Sequence, residues 1–208
     1  MKVYTLLLGP MLNCIYIIEN AGQAILIDPS WDIPVISEFI EKKGLKPVAV
    51  FFTHAHPDHM TNADVFLKKY NIKGYLEEHD EPLCSLPMDL LTLYKAPKIF
   101  EIAGLKIEVL STPGHTKGSV CLKIGDLVFT GDTLFVNSVG RTDLPGANPD
   151  SLIKSLKMLT NLPGDTILYT GHSYGMKEGF KSTISQELAS NPYFKLAKSN
   201  PKVLEDML

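Results

Sequence analysis

Short apolar segments rich in β-forming residues alternate along the chain with amphipathic segments of helical length. In the first half, an initial strand is followed by predicted strands over 13–18, 24–28, 48–52 and 72–76. The predicted helices of this half cover 32–43 and 60–70, and broken helical turns are predicted over 78–95. The run from Val48 to Phe52 is apolar at every position. This continuity predicts a strand that is covered on both faces.

The β pattern returns in the second half and is again followed by helices. The predicted strands cover 99–102, 105–111, 119–124, 127–130 and 166–170, and the predicted helices cover 149–161 and 178–190. The turn Gly125-Asp126 predicts a hairpin between two of these strands. Two blocks of strands, each accompanied by helices, favour an α/β sandwich with two sheets inside and helices outside.

Composition places the chain among ordinary globular proteins and excludes several functions. Its 208 residues are 45% hydrophobic and 21% charged, which is typical of a chain that buries its own core. The 20 Lys and Arg against 23 Asp and Glu provide no basic surface for nucleic acid. No apolar run is long enough for a membrane span, and the leucines before Gly9-Pro10 are too few for a signal peptide. We therefore expect a cytoplasmic protein without nucleic-acid or membrane partners.

Three of the six histidines lie together, directly after the apolar run that ends at Phe52. They belong to the segment Thr53-His54-Ala55-His56-Pro57-Asp58-His59. Functional side chains often follow the carboxyl ends of strands in α/β folds. His54 and His56 project similarly from an extended loop, while Asp58 and His59 face a neighbouring point. A lone histidine is usually structural, but this density of imidazole and carboxylate groups indicates zinc, iron or manganese binding.

Three further residues of ligand type repeat this placement. His115, Asp132 and His172 each follow a predicted strand and each comes directly after a glycine. The resulting five histidines and two aspartates exceed the needs of one tetrahedral ion and suit two ions that share a carboxylate. His79 does not fit the pattern and is predicted to lie on the surface. The three cysteines are far apart and predict no disulfide framework, with Cys14 and Cys121 expected in the core.

The His-x-His-x-Asp-His segment, followed in order by the other three ligand-type residues, resembles the metallo-β-lactamase superfamily. Within it, the chain resembles the glyoxalase-II-like branch, also called hydroxyacylglutathione hydrolase-like, from about residue 3 to Phe194. The resemblance implies one domain over 1–208, a four-layer αββα sandwich, and a binuclear metal centre at one edge of the sheets. It assigns the first metal to His54, His56 and His115, the second to Asp58, His59 and His172, and the bridging position to Asp132.

Features outside the ligand motifs both support this branch and depart from it. Two segments are similar to the branch: the loop Gly140 to Gly146, and a closing helix that ends with Asn191-Pro192-Tyr193-Phe194. Residues 195–208 are predicted to be a short tail rather than the helical extension that helps such enzymes hold glutathione. Asp143 stands where glutathione-binding members usually have an aromatic residue. These departures predict weak discrimination for glutathione.

The resemblance implies a metal-dependent hydrolase that cleaves a small-molecule S-acyl thioester with a metal-bridging hydroxide. Two divalent ions are expected, with zinc favoured over iron or manganese, in a monomer or small homo-oligomer. Asp58 would orient the nucleophile and take its proton, and Arg141 would either anchor an acidic substrate or brace its own loop. An alternative is a mononuclear-iron persulfide dioxygenase that uses His56, His115 and Asp132. A non-catalytic metal-binding protein is a third interpretation, against which the complete ligand set argues.

Overall fold

Two six-stranded sheets form the centre of the protein, whose computed structural model describes residues 1–174 and 179–208. The first sheet contains, in spatial order, β1 (Lys2–Leu8), β2 (Asn13–Asn20), β3 (Gln23–Ile27), β4 (Lys46–Phe51), β5 (Gly74–Glu77) and β6 (Leu91–Tyr94). The second contains β14 (Lys181–Thr183), β13 (Ile167–Thr170), β10 (Leu127–Gly131), β9 (Val120–Ile124), β8 (Leu105–Ser111) and β7 (Lys98–Ile102). A two-stranded ribbon joins β11 (Leu134–Phe135) to β12 (Ser138–Val139).

Helices cover the outer face of each sheet. They are α1 (Ile33–Lys42), α2 (Pro57–Met60), α3 (Ala63–Tyr70), α4 (Pro149–Leu159), α5 (Ile184–Ser190), α6 (Pro192–Ser199) and α7 (Pro201–Glu205). One apolar cluster joins the first sheet to α1 and α3, a second lies between the sheets, and a third joins the second sheet to α4, α5, α6 and α7. The predicted αββα sandwich is therefore confirmed. No helix in the described part of the chain is long and apolar enough to cross a membrane.

Strand β2 shows why the apolar runs are continuous rather than alternating. Ile15 and Ile17 pack in the cluster under the helices, whereas Cys14, Tyr16 and Ile18 pack between the sheets. Successive side chains of a strand point to opposite faces, so a strand covered on both sides must be apolar at every position. The buried positions of Cys14 and Cys121 agree with their prediction as core residues, and all three cysteines are free.

Up to the end of α5, the predicted elements were wrong in three places. Residues 91–94, predicted as part of broken helical turns, form the edge strand β6 because they pair in parallel with β5. The predicted helix over 60–70 is divided into α2 and α3 at Asn62, whose φ is 64°. The predicted helix over 178–190 begins only at Ile184, because 181–183 pair with β13; residue 178 lies outside the described residues.

The segment after α5 also differs from the prediction. Instead of one closing helix that runs through Phe194, α5 ends at Ser190 and Asn191 begins a new helix, since its side chain accepts hydrogen bonds from the backbone N–H groups of Tyr193 and Phe194. Residues 195–208, predicted as a short tail, continue α6 and form α7. Leu204 is fully buried in the third apolar cluster, so this segment packs against the second sheet and its helices.

Candidate metal centre

All seven predicted ligands come together at one edge of the two sheets. They arrive on four loops, which follow β4, β8, β10 and β13. Their ligand atoms form three overlapping groups within which all atoms lie inside 4.8 Å of one another: His54, His56 and His115; His54, His59 and Asp132; and Asp58, His59 and His172. We call the first the three-His group and the last the Asp-His-His group.

Asp132 lies between these two groups. Its Oδ2 atom is 3.6 Å from His115 Nε2 on one side and 3.4 Å from His172 Nε2 on the other. Its Oδ1 atom is 3.3 Å from His59 Nε2. A single carboxylate thus faces both groups of imidazoles, which is the placement that a bridging ligand requires.

Backbone carbonyls fix the orientation of two of the imidazoles. His115 Nδ1 is 2.9 Å from the carbonyl oxygen of Arg141, and His172 Nδ1 is 3.1 Å from that of Met11. Because a carbonyl can only accept, each Nδ1 must carry a proton and donate it. In the neutral ring, Nε2 then presents a lone pair to the cluster, as a metal ligand does.

His59 receives the same support from a carboxylate that sequence analysis missed. Asp28 follows β3 directly, accepts from the Thr53 backbone N–H at 2.8 Å and the Thr53 hydroxyl at 2.7 Å, and lies 2.9 Å from His59 Nδ1. It was assigned to the end of the predicted strand 24–28. Its signal was available, because a carboxylate after a buried strand is the pattern that identified Asp132.

Asn13 is a second residue that sequence analysis missed. Its Nδ2 group donates to Asp58 Oδ2 at 2.9 Å, and its Oδ1 accepts from the indole N–H of Trp31 at 2.9 Å. The indole can only donate, so this contact fixes which end of the amide faces Asp58. Nothing in the local sequence distinguishes this asparagine, which is the first residue of an apolar strand.

Glycines beside the ligands give them room. Gly131, which precedes Asp132, has a φ of 49°, and a Cβ there would meet the Thr53 side chain at 2.5 Å. Gly171 needs no left-handed backbone, but a Cβ at this position would overlap Oδ1 of Asp132. The glycine before His172 therefore serves the packing of Asp132 as well as the turn.

The atoms that face the cluster are those that a cation would satisfy. His115 Nε2 and Asp132 Oδ1 are buried without a hydrogen-bond partner among the described residues. His59 Nε2 lies 3.3 Å from His172 Nε2, although each ring already has its Nδ1 beside an acceptor. Buried lone pairs that face one another are costly unless a positive charge lies between them. The imidazole and carboxylate donor set fits divalent transition metals.

Two rings of the three-His group, those of His54 and His56, are neutral near pH 7. Burial lowers the pKa of His54 well below its ordinary value, and the neighbouring histidines His59 and His115 lower it further. Burial, followed by the effect of His115, lowers the pKa of His56 to about 4. These rings therefore present lone pairs to an ion without first losing a proton.

The Asp-His-His group is different, because carboxylates surround it. Burial alone would lower the pKa of His59, but Asp132 and Asp28 raise it well above its ordinary value. Burial also opposes the charge on His172, yet hydrogen bonds to Asp132 and Asp58 raise its pKa to about 9. Without metal, protonated imidazoles balance the carboxylates in this half of the site.

The remaining predicted residues lie outside the cluster. The guanidinium of Arg141 is 67% exposed and pairs with Asp143 at 2.8 Å, so only the backbone carbonyl of Arg141 reaches a candidate ligand. His79 is 51% exposed and pairs with Glu77 at 3.0 Å, in keeping with its predicted surface position. The prediction that Arg141 anchors a substrate remains untested by this geometry.

Two sequence relatives extend over most of the chain. The probable metallo-hydrolase YqgX of Bacillus subtilis is 32% identical, and the match covers 93% of this chain and 97% of that protein. The probable polyketide biosynthesis zinc-dependent hydrolase BaeB of Bacillus velezensis is 30% identical, with 89% and 83% covered. Together with the His and Asp cluster, these similarities support a metal-dependent enzyme that binds divalent ions.

Two solved structures are also similar. ETHE1 from Myxococcus xanthus superposes with a TM-score of 0.85 at 27% identity, covering 100% of this chain and 91% of that one. TTHA1623, crystallised in a di-iron-bound form, gives a TM-score of 0.80 at 33% identity, covering 92% and 100%. The profile of the Metallo-beta-lactamase superfamily matches residues 9–172, which include every candidate ligand. The chain therefore belongs to the metallo-β-lactamase superfamily.

Proposed function

We propose that this protein is a binuclear metal-dependent thioester hydrolase of the glyoxalase-II-like type. The observation that carries the proposal is the position of Asp132, whose carboxylate faces both the three-His group and the Asp-His-His group. When bound there, two divalent ions would supply a water that ionises near neutral pH and a Lewis acid for the acyl oxygen. Zinc is the metal we favour, because BaeB is described as a probable zinc-dependent hydrolase.

Asp58 is the residue we assign to orient the attacking water. Burial would raise its pKa, but His172, His59 and Asn13 lower it to about 2, so the carboxylate is ionised at neutral pH. Asn13 holds Oδ2 of Asp58 in place at 2.9 Å. An ionised and fixed carboxylate can accept a hydrogen bond from water while it contributes to the Asp-His-His group.

Hydrolysis then needs little further help from side chains. The water oxygen would bond to the acyl carbon as its proton passes to Asp58, the carbon–sulfur bond would break, and the sulfur would depart as a thiolate that needs no strong acid. Exposed apolar side chains next to His172 suit the acyl portion: Met11 and Leu12 lie on the loop that accepts hydrogen bonds from His172 and Ser173, and Tyr174 stacks on the His172 ring. This rim supports a small acyl thioester as the substrate.

A mononuclear-iron persulfide dioxygenase is the second candidate, favoured by the similarity to ETHE1. It would use His56, His115 and Asp132 as the three iron ligands. The Asp-His-His group argues against it, because the Nδ1 atoms of His59 and His172 each lie within hydrogen-bond distance of an acceptor, as the Nδ1 atom of His115 does. A one-metal enzyme has no need for that second set of supports.

Metal content separates these two candidates. We expect two equivalents per chain in the wild-type protein, and His59→Ala and His172→Ala should each lose about one, since each removes a ligand from the Asp-His-His group. His79→Ala is the matched control and should retain both, because His79 lies outside the cluster. The measurement is elemental analysis of protein purified without added metal. A single iron that is unchanged in both variants would support the dioxygenase.

Substrate preference tests the proposed reaction. S-lactoylglutathione and a short acyl N-acetylcysteamine thioester should both be cleaved, with kcat/KM values within about tenfold of each other. The reason is that Arg141, the predicted anchor for an acidic substrate, is already paired with Asp143. Hydrolysis is followed by loss of thioester absorbance, with chelator-treated protein as the control. Oxygen uptake with glutathione persulfide, without thioester cleavage by the fully metallated protein, would overturn the hydrolase proposal.

A further inference from the structure

A buried carboxylate outside the ligand set joins the two loops that supply the three-His group. Asp80 is 0% exposed and lies in the short 3-10 helix Glu78–Leu83. This helix follows β5, which pairs in parallel with β4. Parallel pairing brings the carboxyl ends of both strands to the same edge, so Asp80 arrives beside the loop that begins at His54.

Asp80 accepts three hydrogen bonds, all from the two ligand loops. Its Oδ2 atom accepts from the Ala55 backbone N–H at 2.8 Å and from the Thr116 hydroxyl at 2.8 Å. Its Oδ1 atom accepts from the Gly118 backbone N–H at 2.6 Å. Ala55 lies between His54 and His56, and Thr116 follows His115 directly. One side chain therefore fixes both halves of the three-His group relative to each other.

The groups around Asp80 accept only a carboxylate at this position. All three partners are donors here, so both oxygens must act as acceptors, which an ionised carboxylate does and an amide does not. A Cβ at Gly118 would come within 2.7 Å of Asp80, so a residue with a side chain would push the loop away from the carboxylate. The position requires an acid on one loop and a glycine on the other.

We infer that Asp80 is a positioning residue that sets the spacing of His54, His56 and His115 and thereby the metal affinity of the three-His group. It touches no candidate ligand side chain in the described structure and acts through the backbone and through Thr116. The inference rests on the proposed function to the extent that the three-His group binds a metal.

The chain contains a matched control in Glu187. This carboxylate is 1% exposed and also accepts three hydrogen bonds, from the Asn137 backbone N–H, the Ser182 hydroxyl and the Asn191 side chain. None of these donors belongs to the loops of the three-His group. Glu187→Gln therefore removes a similar amount of buried hydrogen bonding but should leave the positions of the three-His group unchanged.

The experiment measures Co²⁺ binding in a His172→Ala background, where the Asp-His-His group is disabled. Asp80→Asn should weaken the Kd for Co²⁺ by about 10- to 100-fold and change its visible absorption band, since supports of metal ligands have effects of this size. Glu187→Gln should lower the melting temperature but change the Kd by less than about threefold. Thr116→Val, which removes one donor to Asp80, should weaken Co²⁺ binding by a few fold. This variant tests the inference if Asp80→Asn does not fold.

The possible failures can be told apart. If the His172→Ala parent binds no Co²⁺ and the wild-type protein binds none, the proposed metal centre is wrong. If the parent binds Co²⁺ and the folded Asp80→Asn and Thr116→Val proteins bind it as tightly and with the same spectrum, the positioning role of Asp80 is wrong. Equal weakening by Glu187→Gln would also overturn it, because the effect would then follow from lost stability alone.

Discussion

Asp132→Ala is expected to lose more metal than any variant of a single histidine and to reduce kcat/KM by roughly 1,000-fold or more. The reason is geometric. The carboxylate lies within 3.6 Å of imidazoles from both groups, so its removal withdraws a ligand from each site at once. Its removal also takes away one of the two carboxylates that raise the pKa of His59 and one of the two that raise the pKa of His172.

The same variant should be less stable whenever metal is present. An ion at 100 times its Kd stabilises a native protein by about 2.7 kcal/mol, and loss of that amount corresponds to roughly 5–10 °C for a chain of this length. The measurements are metal analysis and thermal melting with and without added zinc. Asp126→Ala is the matched control, because Asp126 is an exposed residue at the opposite end of β10. Metal content equal to that of the wild type would refute the bridging assignment.

Sequence analysis could predict the candidate ligands because each lies on a loop that follows a buried strand. A short apolar run predicts a buried strand, and a histidine or aspartate soon after such a run is easily recognised as a candidate ligand. The same reasoning could have found Asp28, which follows β3 but was absorbed into the predicted strand. The four-layer arrangement was also predictable, since apolar residues on both faces of β2 and β4 require covering layers on both sides.

What sequence analysis missed depends on tertiary contacts between distant segments. Asn13 and Asp80 act only through side chains or loops that are 45 and 25 to 38 positions away in the chain. Strand β6 likewise owes its conformation to pairing with β5 rather than to its own pattern. Local periodicity contains no information on such partners. The helical structure of residues 195–208 was missed for the same reason, because Leu204 is held by packing against helices that are distant in the sequence.

Zinc binding to the Asp-His-His group is expected to strengthen by about ten- to a hundredfold per pH unit between pH 7 and 8.5. In the metal-free protein the pKa of His172 is about 9 and that of His59 is raised well above its ordinary value. The His172 ring is therefore mostly protonated over this range, and the carboxylates around His59 favour its charged form, so an ion must displace protons from this group. Each displaced proton contributes a factor of about ten per unit, and the contribution of His172 ends as the pH rises above about 9.

The three-His group should behave differently, because His54 and His56 are already neutral over this pH range. Its zinc affinity should change by less than about twofold from pH 7 to 8.5, so the two ions should bind at increasingly similar strength as the pH rises. Titration against a competing chelator at several pH values measures both constants, and calorimetry in two buffers counts the protons released. The His172→Ala protein isolates the three-His group and should show the shallow dependence alone. Equal pH slopes for the two sites would mean that the imidazoles of the Asp-His-His group do not hold the protons that their neighbouring carboxylates favour.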